Sequence, residues 1–82
     1  MYFVYVLYNR EVKRTYTGQT KDLNQRLEQH NNHFFRSFTS RYRGTWVLIY
    51  KESVATRSGA LIRENQLKSG NGRAFIKQFI PN

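Results

Sequence analysis

The sequence predicts an α+β fold for this 82-residue chain: a three-stranded, largely antiparallel sheet flanked by helices, in the order β-β-α-β-α-α. Two runs, Tyr2-Phe3-Val4-Tyr5-Val6-Leu7-Tyr8 and Thr45-Trp46-Val47-Leu48-Ile49-Tyr50, are unbroken apolar strands, the first β-branched and aromatic without a polar alternate, as in a strand covered on both faces. A short polar connection after the first run suits a hairpin, so the sheet begins antiparallel. Three further segments each open at a capping residue and close at Asn, Gly or Pro, the punctuation of helices.

Taken in order, Tyr2 to Tyr8 is the first strand, Asn9 to Arg14 the hairpin connection, and Thr15-Tyr16-Thr17 the returning strand. Gly18 is expected at a sharp turn out of that strand, because glycine adopts backbone angles that other residues resist. Asp22 is the expected N-cap of a helix that Asn31 and Asn32 end. Leu23 and Leu27 lie at i and i+4 on it, with Arg26 and His30 at i+3 and i+7, so all four share one face. Binary patterning reserves such a face for the core. Arg26 snorkelling its stem over the core and a buried, hydrogen-bonded His30 are the bland explanation for each alone. The pair, four residues apart and just past a Tyr-x-Gly sequence, points to function.

From Asn31 to Gly44 the chain is irregular, with Phe34, Phe35, Phe38 and Tyr42 set among Arg36, Arg41 and Arg43. The second apolar strand follows, and then Thr56 or Ser58 caps a helix that reaches about Ser69, with Gly70 as its left-handed terminator. Asn71 is expected to cap a last helix from Arg73 to Phe79, which Pro81 stops. Glu64 falls inside the stripe formed by Ala60, Leu61 and Leu67. A buried carboxylate costs several kcal/mol on the order of the penalty for a desolvated ion unless a cation offsets it. That cation is either Arg26, in a structural salt bridge, or a metal.

A chain of this length supports one hydrophobic core, and residues 1–82 read as one domain. Hydrophobic residues make up 39% and aromatics 16%, enough to build that core. The absence of cysteine excludes disulfides and thiolate zinc sites and fits a reducing, cytoplasmic location. Tyr2 to Tyr8 is too short to span a bilayer, and no basic region precedes it as in a signal peptide. Fourteen Lys and Arg against five Asp and Glu leave a net charge of +9, which calls for a polyanionic partner. The basic residues are spread along the chain among aromatics, which favours nucleic acid over a membrane surface. The oligomeric state is left open.

The chain resembles the GIY-YIG nuclease family, and more closely its small single-domain members related to the nuclease module of the ABC excinuclease. Phe3-Val4-Tyr5-Val6-Leu7 is similar to the first motif, keeping its tyrosine as Tyr5, while Val4 and Phe3 replace its glycine and isoleucine. Tyr16-Thr17-Gly18 is similar to the second. Arg26 matches the family's catalytic arginine, His30 a position where several members carry histidine, and Glu64 the metal-binding glutamate. Arg63-Glu64-Asn65-Gln66-Leu67-Lys68-Ser69-Gly70 resembles the stretch around that glutamate in the small members. The asparagine that many members carry well after the glutamate has no counterpart at comparable spacing.

The resemblance implies a GIY-YIG-like domain that hydrolyses phosphodiester bonds in DNA, or alternatively RNA, with roles in repair or in processing non-standard DNA structures. Mg²⁺ or Mn²⁺ on Glu64 is the implied cofactor, since a hard cation accepts one carboxylate with water and phosphate completing its shell. Arg26 is then expected to donate to the phosphate as charge builds there, and Tyr5 to take or position the proton of the attacking water, its phenolate favoured by Arg26, His30 and the metal. Tyr16 and His30 orient the water or the phosphate. Arg36, Arg41, Arg43 and Lys68 are the expected nucleic-acid contacts, with loop aromatics stacking on unpaired bases. A non-catalytic basic nucleic-acid-binding module on the same fold is the alternative. A protein-interaction domain with an internal Arg26–Glu64 pair is a more distant third.

Overall fold

The computed structural model describes residues 1–32 and 43–81. The predicted contacts Arg36 and Arg41, and the aromatics Phe34, Phe35, Phe38 and Tyr42, lie outside the described residues. Six elements follow one another in the expected order: β1 (Tyr2–Asn9), β2 (Arg14–Thr20), α1 (Leu23–Asn32), β3 (Trp46–Val54), α2 (Arg57–Lys68) and α3 (Gly70–Lys77). The sheet has the order β2-β1-β3, and both pairings are antiparallel.

The central place of β1 explains its unbroken apolar sequence, because both of its faces are covered. Val4 and Val6 face one side, where they pack with Ala60 and Leu67 of α2 and Ile76 of α3. Tyr5 and Leu7 face the other, where they meet Trp46 and, from α1, Leu23 and Leu27. Alternation along one strand therefore sends Tyr5 to α1 and its neighbours to α2 and α3.

Local chemistry sets the helix starts. Asp22 caps α1, its Oδ1 accepting from the Gln25 amide at 3.0 Å. Thr56 rather than Ser58 caps α2, with Oγ1 accepting from the Gly59 amide at 3.0 Å.

The structure corrects four boundaries. First, β2 continues to Thr20, and Gly18 sits inside it, paired with Tyr5. Gly18 is not at a turn and has no positive φ, the one described glycine with that conformation being Gly44. A Cβ at position 18 would lie 2.8 Å from the Tyr5 hydroxyl and 2.9 Å from the Tyr16 ring, so the missing side chain makes room for both phenols. Second, β3 begins at Trp46 and runs four residues beyond Tyr50, because Lys51, Glu52 and Ser53 pair with β1 despite their polarity. An edge strand tolerates such residues, whereas a strand central to the sheet does not.

The other two corrections concern the joint between the last helices. Gly70 is not a left-handed terminator but the first residue of α3, and Asn71 is not its cap. Ser69 does both jobs from an extended conformation: its amide donates to the Gln66 carbonyl of α2, and its Oγ accepts from the Gly72 amide of α3 at 3.2 Å. Gly72 is buried against the preceding helix, and a Cβ there would collide with the Gln66 carbonyl oxygen and the Leu67 backbone.

Candidate active site

Tyr5 and Tyr16 rise from neighbouring strands on the face covered by α1, while Arg26 and His30 descend from α1 one turn apart. Asn31 fixes the end of that helix. Its Oδ1 accepts from the Trp46 amide at 2.8 Å and its Nδ2 donates to the Trp46 carbonyl at 3.0 Å, tying α1 to the start of β3 immediately after His30. His30 Nε2 then lies 2.9 Å from the Tyr5 hydroxyl. The Tyr16 and His30 ring centroids are 4.8 Å apart, and those of Tyr5 and Tyr16 are 6.2 Å apart, so the three rings form one cluster. The Arg26 guanidinium interacts electrostatically with both phenols, and its Nη1 donates to Gln29 Oε1 at 3.4 Å.

Tyr5 and His30 are fully buried, at 0% and 1% exposure, whereas Tyr16 and Arg26 are half-buried. Burial pushes the Tyr5 phenol up to about 12, the charges of Tyr16 and Glu64 add to the rise, and the hydrogen bond from Arg26 opposes it. Burial also pushes the His30 imidazole down to about 4, helped by the nearby charge of Arg26. Both groups are therefore neutral at pH 7. For Arg26, burial works against the charge but the hydrogen bonds to Tyr5 and Tyr16 outweigh it, so its pKa is raised. A guanidinium can only donate, so we assign the Tyr5 oxygen as acceptor from Arg26 and its proton to His30 Nε2. Of the three positive groups expected to favour the Tyr5 phenolate, His30 is pushed down and adds no charge, and burial outweighs Arg26, which leaves that part to a bound metal.

Glu64 stands on α2, the helix on the opposite face from Arg26, yet its charge reaches Tyr5. It lies at the margin of the apolar stripe, between buried Leu67 and Ala60 and exposed Leu61, and its side chain keeps 17% exposure. Of the two expected cations, Arg26 and a metal, Arg26 does not pair with it: the side chain that meets it is Lys68, at 2.7 Å one helical turn on. The Glu-to-Lys spacing of four is the readable signal for that pair. Among the described residues no group of three or more His, Asp or Glu side chains converges. One carboxylate suits a hard divalent cation with water and phosphate in the rest of its shell, and does not suit zinc. Lys68 is more than half exposed, and pairs of this kind are worth only about 0.3–0.5 kcal/mol, so the carboxylate is readily released to a divalent cation.

The site thus gathers Tyr5, Tyr16, Gly18, Arg26 and His30, with Glu64 coupled through its charge. Arg43 is elsewhere, exposed at the entry to β3 beside Glu11 at 3.7 Å. Asn31 is the positioning residue that sequence reasoning reads only as a helix terminator, since an asparagine there looks the same whether or not a strand lies across from it.

Fold and side-chain set define a class: a small α+β domain in which two tyrosines, an arginine and a histidine converge beside a carboxylate-bearing helix. Residues 1–77 match the GIY-YIG catalytic domain, and the chain belongs to that family, a family of nucleases. It is similar to a UPF0213 protein of Staphylococcus epidermidis, with 37% identity over 76 residues that cover 93% of this chain and 90% of the relative. A UPF0213 protein of Staphylococcus aureus is 41% identical over 54 residues, 66% of this chain and 65% of its own. The solution NMR structure of the UPF0213 protein from Bacillus halodurans superposes with a TM-score of 0.55 at 25% identity, covering 95% of this chain and 84% of that one.

Proposed function

We propose that this chain is a divalent-metal-dependent endonuclease that hydrolyses phosphodiester bonds in DNA, acting in the cytoplasm on nicked, branched or otherwise non-standard structures. The observation that carries this reading is the convergence of two phenols, an imidazole and a guanidinium, with the Tyr5 hydroxyl 2.9 Å from His30 Nε2, the Tyr16 and His30 rings 4.8 Å apart and the Arg26 charge acting on both phenols. Structural packing alone calls for an apolar side chain at Arg26, between Leu23 and Leu27 on the inward face. Membership of a nuclease family and the +9 charge support the same reading.

Burial divides the roles. Tyr5 has no exposed surface, and burial pushes its phenol up to about 12, so it serves as a neutral hydrogen-bonding group set back from the attacking water. Tyr5 and His30 are positioning residues that hold Arg26. Half-buried Arg26 donates to the non-bridging oxygens as their charge builds, and half-buried Tyr16 orients the water. The water oxygen bonds to phosphorus while one ester P–O bond breaks, leaving a phosphate monoester and a hydroxyl. Glu64 would hold Mg²⁺ or Mn²⁺, which when bound supplies positive charge to the scissile phosphate and acidifies water.

The test is incubation of purified protein with nicked, branched, duplex and single-stranded DNA in Mg²⁺, Mn²⁺ or chelator. Cleavage is expected with metal alone, and Arg26→Ala is expected to lose roughly 10²–10³ in rate while binding in chelator stays within several-fold. Undiminished cleavage in chelator, or parallel loss of binding and cleavage in Arg26→Ala, overturns it.

A further inference from the structure

Away from the tyrosine cluster, a cleft of about 260 Å³ opens on the other face of the sheet, between β2 and the helices α2 and α3. Leu67, Ile76 and Ile80 give it an apolar lining, and Thr15 and Thr17 of β2 line it as well. Three exposed cations, Lys13, Arg73 and Lys77, stand around its mouth, and no carboxylate lines it. Among the described residues none of the three is in an ion pair, whereas Arg43, Arg63 and Lys68 all are. An unpaired trio of cations beside an apolar lining is complementary to a ligand that is anionic at its rim and flat and apolar in its body.

The size narrows the ligand further. Sites for drug-sized molecules measure roughly 300–1,000 Å³, so this cleft takes one planar group rather than a peptide segment. The two threonines supply donors and acceptors at the level of such a group's edge. In β2 they flank Tyr16, whose side chain points to the opposite face. The cleft and the tyrosine cluster therefore lie back to back across one edge strand, where a flexible polyanion turning round that edge meets both.

We propose that this cleft binds one unpaired nucleotide of a single-stranded nucleic-acid segment, with the base on Leu67, Ile76 and Ile80 and the flanking phosphates between Lys13 and the Arg73–Lys77 pair. It deepens the nuclease reading by giving the substrate an unpaired stretch, and only that link to the substrate rests on it. A base in a duplex is not free to enter, so the cleft distinguishes single strands from duplexes.

The test measures binding in chelator, where cleavage plays no part. Fluorescence anisotropy with a labelled oligothymidylate and with a duplex of matched length compares the parent, Arg73→Ala/Lys77→Ala, and a control pair outside the cleft, Lys51→Ala/Arg57→Ala. The cleft pair is expected to lose about tenfold or more in single-strand affinity and roughly 1.4 in the salt slope, with duplex binding and the control within about twofold of the parent. Amide shifts on adding the oligothymidylate to the parent are expected at Thr15, Thr17 and Arg73 to Ile80. Equal losses on both nucleic acids, equal losses in the control pair, or shifts that avoid these residues overturn the proposal. Should metal-dependent cleavage fail while this contrast persists, the nuclease reading falls and the nucleotide site stands.

Discussion

Removing one oxygen from each tyrosine in turn separates their roles. Tyr5→Phe leaves His30 Nε2 buried without its phenol, a loss that costs about 1–3 kcal/mol and lowers Tm by roughly 4–8 °C per kcal/mol in a domain of this size. Tyr16→Phe is expected to keep Tm within a few degrees and to lose cleavage rate instead. Matched melts and single-turnover assays check the division, and a Tyr16→Phe variant that melts early but cleaves normally contradicts it. His30 adds a pH dependence whose sign follows from its lowered pKa. An unfolded chain takes up the proton near 6.5, whereas the folded protein resists it until about 4, so stability present above pH 6.5 is lost as pH falls through this window. The loss is roughly 2–3 kcal/mol by pH 4.5. Urea titrations at pH 7.5 and 4.5 should show that loss shrink by a similar amount in His30→Gln, and an identical loss in parent and variant refutes it.

The joint between α2 and α3 makes a prediction at the scale of elements. Ser69 caps α3 and bonds the end of α2, while Asn71 lies exposed in the first turn of α3. Ser69→Ala is expected to cost about 1–2 kcal/mol and Asn71→Ala less than about 0.5, read from chemical unfolding. Equal effects would restore Asn71 as the cap. On α2 itself, Glu64→Leu removes the partner of an exposed lysine rather than of a buried guanidinium. Melts in chelator should therefore shift by no more than a few degrees while metal-dependent cleavage disappears. A drop equivalent to 3–5 kcal/mol, the approximate cost of breaking a buried pair, would make Glu64 structural.

For the molecule as a whole, +9 on 82 residues dominates association with any polyanion. Binding to DNA in chelator should weaken steeply with salt, the logarithm of the affinity falling linearly with the logarithm of salt concentration by roughly 0.7–0.9 per phosphate neutralised. Affinity that is constant over a fourfold range of salt rules out counterion release as the driving force. Substitution of Arg26 barely moves this curve, because one charge among fourteen Lys and Arg changes the field little. None of the helices is long and apolar enough to cross a membrane, among the described residues.

Periodicity and capping chemistry are local, and they suffice to dictate the element order, the coverage of β1 on both faces, the start of α1, and the shared face of Arg26 and His30. These features depend on neighbours within a helical turn or along a strand, so the residues that cause them are adjacent in the chain. Gly18 lies beyond that reach: a glycine answers equally to a turn and to a close approach, and only the Tyr5 ring lying across the sheet selects the second. The same holds for Ser69, chosen over Gly70 and Asn71 by the angle at which two helices meet. Packing, and not any run of residues, seals Tyr5 from water while leaving Tyr16 within its reach, and pairs Glu64 with Lys68 and not Arg26. Burial and charge pairing are set by which faces of the sheet each helix covers, a long-range outcome that no local pattern encodes.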